Sequence, residues 1–129
     1  MEITALEIVK AWHDALNSGQ VEQMVEMVSQ DVEVGGPRGN TQGAGVVREW
    51  FGRANVRLLP RRAFHRGNTV VVEEQGEWIS PETGQVTGSQ VVATVFKVTD
   101  GRISSILRYD SLETALHEGG LEATDQAGI

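Results

Sequence analysis

The feature that most constrains this chain is a change of period near residue 55. Before it, apolar residues recur at helical spacing. After it they alternate, over runs too long for anything but a sheet. Leu6, Val9, Trp12, His13 and Leu16 fall on one helical face, and Val21, Met24, Val25 and Val28 on a second, shorter one. Thr4 and Glu7 have the spacing of a capping box at the start of the first helix. Asn17-Ser18-Gly19 ends that helix, with Gly19 suited to a left-handed position. Asp31–Val34 reads as a short strand, and Val46, Val47, Trp50, Phe51 and Ala54 as the apolar face of a third helix over 44–54. Strands are then expected over 56–65, 69–79, 86–98 and 102–109, with Pro60 marking an edge or a bulge. Asp100-Gly101 between the last two is a strong hairpin signal. A short closing helix over 111–118 stops at Gly119-Gly120, and residues 122–129 read as a frayed tail behind a single domain of residues 1–121. Helices first and a long antiparallel meander afterwards make an α+β fold, with the helices on one face of the sheet.

Composition sets the outer bounds. A chain of 129 residues suits one domain with one core. It has no cysteine, which excludes disulfides, thiolate catalysis and zinc–thiolate sites. The first residues, MEITALEIVKAW, lack the basic and apolar segments of a secretory signal. No apolar run nears the roughly 20 residues of a membrane span. A soluble cytoplasmic protein is the expectation.

The glycine-rich stretch GGPRGNTQGAG at 35–45 invites a phosphate-binding reading. The pattern argues against it. No Gly-Lys pair exists for a P-loop, and Arg48 stands where a dinucleotide fingerprint needs its last glycine. The stretch is better read as a mobile connection from strand to helix. Charge is uneven around it. Residues 38–66 hold seven arginines and one acid, for +6, whereas the rest of the chain is −13. Those arginines either pair with acids on neighbouring elements or create a local field for an anionic ligand. The acidic whole, without an aromatic-and-basic motif, excludes nucleic acid as a partner.

The segments AWHDALNSGQ at 11–20, DVEV at 31–34, VVREWF at 46–51 and VFKVTDGRISSI at 95–106 resemble the nuclear transport factor 2-like superfamily, and within it the SnoaL-like proteins. The resemblance implies a cone: a strongly curved sheet wrapped around the first helix, with a pocket inside. It also implies a homodimer formed through the outer face of the sheet. Members include ketosteroid isomerases and polyketide cyclases as well as proteins without known activity, so the fold does not fix the reaction.

Several residues are candidates for chemistry. The resemblance suggests Asp110, near the end of the last strand, as an acid/base. Asp110-Ser111-Leu112-Glu113 also has the pattern of a capped helix start. Arg108, on the same strand face, could orient that carboxylate or hold an anion. His65 suits proton transfer but stands beside an Arg-Gly-Asn turn. His13 follows Trp12 on the first helix, where the ketosteroid isomerases carry a tyrosine that this chain lacks. Trp12, Trp50, Trp78 and Tyr109 either pack the core or wall a pocket, and Arg38 lies near the start of the third helix. Glu74 and Trp78 share one strand face, Glu73 and Glu77 the other. The scattered histidines show no metal-ligand spacing, and no cofactor motif is present. Two functions follow. One is a pocket for a small, partly apolar molecule with an acidic group, working as a cofactor-free isomerase, cyclase or hydratase. The other is a ligand-binding or dimerisation module without catalysis.

Overall fold

The structure, a computed structural model, describes residues 4–36, 39–52 and 56–127, with the side chains of 50–52 set aside. The chain runs α1 (Ala5–Asn17), α2 (Val21–Glu26), β1 (Val28–Gly36), β2 (Gly39–Gln42), α3 (Ala44–Gly52), β3 (Val56–Arg66), β4 (Thr69–Ile79), β5 (Val86–Thr99), β6 (Arg102–Tyr109) and α4 (Leu112–Gly119). A single 3₁₀ turn (Ala123–Asp125) and β7 (Gln126–Ala127) complete it. The strands form one sheet in the order β2-β1-β6-β5-β4-β3-β7. Every neighbouring pair is antiparallel except β1 with β6. The sheet curves around the N-terminal helices, as the sequence leads one to expect.

Local signals account for most of the elements. Thr4 and Glu7 close the capping box of α1. The β5–β6 hairpin turns on Asp100 at φ 52° and Gly101 at φ 79°, the two positive values that a primed turn requires. The inner face of the sheet and α1 share one core, which includes Val9, Trp12, Val72, Phe96 and Ile106. Register shifts interrupt the β1–β6, β3–β4, β4–β5 and β5–β6 ladders. Such bulges bend a strand locally. Asn17 fastens the end of α1 to β3: its amide donates to the Leu58 carbonyl and accepts the Leu58 N–H, each at 2.9 Å. On the outer face α4 packs with Phe64, Val71, Ala93 and Val95.

The structure corrects four expectations. The glycine stretch is not a plain loop, because Gly39–Gln42 pair with Glu33–Gly36 as an antiparallel ladder. β1 is correspondingly longer than the Asp31–Val34 segment. Residues 126–127 pair with Ala63 and Phe64 of β3 rather than fraying, because Arg66 holds Asp125 at 2.7 Å and Leu121 is buried under α4. The cap of α4 is Ser111, whose hydroxyl accepts the Thr114 N–H at 3.2 Å. Asp110 stands one residue too early to cap. No helix among the described residues is long and apolar enough to cross a membrane.

Candidate functional site

β4 carries Val70, Val72 and Glu74 inward by simple alternation, so a carboxylate enters an otherwise apolar face. α1 presents His13 directly to it. The pair is fully interior: His13 is 2% exposed and Glu74 0%. His13 Nε2 contacts Glu74 Oε2. Thr94 of β5 donates its hydroxyl to Glu74 Oε1 at 2.6 Å. On the other side of the ring, His13 Nδ1 lies 2.8 Å from the carbonyl oxygen of Val9. Trp12 and Phe96 meet the imidazole edge-on, with ring centroids 5.2 and 5.3 Å away.

The hydrogen-bond partners fix one ring proton and share the other. A carbonyl only accepts, so Nδ1 carries a hydrogen and donates it to Val9. Glu74 Oε1 accepts from Thr94. One further proton lies between Nε2 and Oε2, giving either imidazolium with carboxylate or imidazole with carboxylic acid. In both forms the pair is neutral as a whole. Neutrality together with hydrogen bonds on both sides is what makes its burial tolerable.

His13 is also part of a cleft wall. Between α1 and β3 lies a cleft of about 560 Å³. Val9, His13, Ala63 and Val72 form its buried floor, and Leu6, Lys10, Asp14, Pro60 and Arg61 its rim. The α1 residues among them recur at i, i+3, i+4, i+7 and i+8, one stripe of the helix. The volume falls within the range of small-molecule sites, as does the combination of an apolar floor with a few polar groups.

The other sequence candidates are dispersed. Asp110 is exposed beyond the end of β6. Arg108 pairs in register with Thr94 on the concave face, where it is exposed beside Gly36. Tyr109 points the opposite way and packs against the α4 cluster, and burial there raises its phenol pKa. His65 is exposed near the β3–β4 turn. Trp78 is half-buried on the Glu74 face, lying over Gly76 and Gly88, where added Cβ atoms would come within 3.9 Å of its ring. Arg38 lies outside the described residues, as does the side chain of Trp50. Of the seven candidates whose side chains the structure describes, only Trp12 and His13 belong to the buried cluster, and only His13 lines the cleft.

Several of the basic-segment arginines pair with acids. Arg48 bonds Glu22, Arg62 grips Glu73 through two hydrogen bonds at 2.9 and 3.0 Å, and Arg66 holds Asp125. The Arg62 guanidinium keeps the Glu73 carboxyl below its ordinary pKa. Among the described residues no cluster of three or more His, Asp or Glu groups could hold a metal ion.

Comparison with known proteins bears on this geometry. The profile of the SnoaL-like domain matches residues 9–106. The chain belongs to the SnoaL-like domain family. No functionally curated protein matches it. An NTF2-like protein of unknown function from Cytophaga hutchinsonii superposes on this SnoaL-like chain with a TM-score of 0.74 at 17% identity, over 88% of this chain and 96% of that one. TerC, co-crystallised with polyporic acid, gives 0.70 at 20% identity, over 89% and 96%. A protein of ketosteroid isomerase-like fold from Catenulispora acidiphila, in complex with trimethylamine, gives 0.68 at 22% identity, over 92% and 95%. At such identities the likeness is one of fold.

Glu74 was half-legible in sequence, as a carboxylate on the strand face it shares with Trp78. Thr94 and the cleft were not. Neither a threonine inside a strand nor the position of a helix over a sheet carries a local signature.

Proposed function

We propose that this SnoaL-like chain binds a small, partly apolar molecule in the α1–β3 cleft and exchanges a proton with it through His13 and Glu74. The reaction class is that of a cofactor-free isomerase, cyclase or hydratase. The observation that carries the reading is an imidazole, His13, in a cleft floor that is otherwise apolar, backed from behind by the buried Glu74 carboxylate. Such a pair can take a proton from a carbon beside a carbonyl and return it elsewhere on the same molecule. The carboxylate chemistry that the sequence suggested for Asp110 moves, in this reading, to Glu74.

A second reading has its own support. Both ring nitrogens of His13 are engaged inside the protein. A ligand meets a transferable proton only when the ring turns and the Nε2–Oε2 contact opens. If it never turns, the pair is a structural pin and the cleft binds without turnover. A homodimer through the outer face fits either reading. Leu59 and Val91, each 39% exposed, flank Gln75 there in register. Light scattering on the purified protein decides that point.

The test of turnover is hydrogen–deuterium exchange at the α-carbons of 2-tetralone in D2O, followed by proton NMR. The acid/base reading expects exchange above the buffer rate with the wild type, and loss of the excess in Glu74→Gln and His13→Gln. Binding of 2-tetralone with no excess exchange supports the non-catalytic reading.

A further inference from the structure

The β3–β4 ladder contains one residue without a partner. Arg62 pairs with Glu73 and Pro60 with Glu74, which leaves Arg61 as the extra residue of a bulge. The bulge rephases the strand. Leu58 and Ala63 both face the inner core, although five residues apart, which strict alternation forbids. One consequence is that Pro60 and Arg61, consecutive in sequence, both line the cleft. Adjacent arginines therefore have opposite fates. Arg62 points outward and is neutralised by Glu73. Arg61 lines the cleft; it makes no hydrogen bond or close ion pair among the described residues, and its charge reaches Glu73 only at longer range. Bulges commonly re-aim a side chain beside a functional site.

The charges around the cleft add to this. Lys10 and Arg61 are cationic, Asp14 is anionic, and the His13–Glu74 pair is neutral as a whole. The rim is thus +1 above an apolar floor. A guanidinium offers a planar fork that matches a carboxylate or sulfonate. We propose that Arg61 is the specificity-determining residue of the cleft and selects ligands bearing one acidic group on an apolar body. This rests on the reading of the cleft as the ligand site, but not on that reading's proton chemistry.

The test uses two fluorescent probes with one ring skeleton. 8-Anilinonaphthalene-1-sulfonate is an anion, and N-phenyl-1-naphthylamine is its neutral counterpart. Both are titrated into the wild type, Arg61→Ala, Arg61→Lys and Leu6→Trp. Arg61 is exposed, so its variants should melt with the wild type, which thermal denaturation checks. The expected result is a loss of about tenfold in affinity for the anion in Arg61→Ala, the size of one charge-assisted hydrogen bond. The neutral probe is unchanged, and Arg61→Lys falls between. Leu6→Trp, which fills the rim, weakens both probes. If Leu6→Trp weakens both but Arg61→Ala moves neither, or moves both equally, the Arg61 assignment is overturned and the cleft stands. If neither probe binds the wild type, or Leu6→Trp affects neither, the cleft reading and the Arg61 assignment fall together.

Discussion

Replacing Glu74 by leucine is the perturbation whose cost is best set by the structure. The substitution replaces the carboxylate by an apolar group of similar bulk, so packing is largely preserved. Two polar atoms lose their partner: His13 Nε2 and the Thr94 hydroxyl. Each buried group left unsatisfied costs about 1–3 kcal/mol, and breaking a buried pair from one side typically costs about 3–5 kcal/mol. A loss of about 4 kcal/mol is expected. With an unfolding entropy of about 2.1 cal/mol/K per residue, a chain of 129 residues has about 270 cal/mol/K in all. The melting temperature should then fall by about 15 °C. The triple variant His13→Leu, Glu74→Leu, Thr94→Val removes every orphan that the single change creates. It should recover most of the loss, because apolar replacement of a whole buried pair is often neutral or better. Urea and thermal denaturation of the single and triple variants, at one pH, make the comparison. A Glu74→Leu protein as stable as the wild type, or a triple variant less stable than the single one, would refute the reasoning.

Three further outcomes are expected. Ser111→Ala should cost about 1 kcal/mol through loss of the α4 cap, whereas Asp110→Ala should leave the melting temperature unchanged. Glu73 is held below its ordinary pKa by Arg62, so the ionised form is favoured by folding. Its contribution is present above the unfolded value of about 4.3 and fades as pH falls through the lower folded value. The stability gap between wild type and Glu73→Gln should therefore narrow in acid denaturation curves as pH falls below about 4.3. Tyr109 is the single tyrosine, and burial raises its pKa. Its ultraviolet titration should have a midpoint above the usual value of about 10.

Much of the fold was readable because its determinants are local. The Thr4–Glu7 box, the Asp100-Gly101 turn and the period-two runs of β4 and β6 each depend on residues near in sequence, and each appears where the pattern placed it. The glycine stretch misled because its pairing depends on a neighbouring strand. Gly35 stacks so tightly that a Cβ there would lie 2.0 Å from the Asn40 side chain, and nothing local announces that. The site was less legible for the same reason. His13 and Glu74 are 61 residues apart, and only the wrapping of the sheet around α1 joins them. Either residue alone has an ordinary structural explanation. Arg61 is hidden in another way, since the Pro60 signal foretells a bulge but not which side chain it turns.

The central claim is that His13 meets a ligand at the floor of the cleft. The most direct test is nitrogen-15 NMR of the three histidines while 2-tetralone is titrated in, with the His13→Gln protein supplying the assignment. The account expects the His13 ring signals to move as the cleft fills, and those of the exposed His65 and His117 to stay. Saturable binding that leaves the His13 signals in place would contradict it.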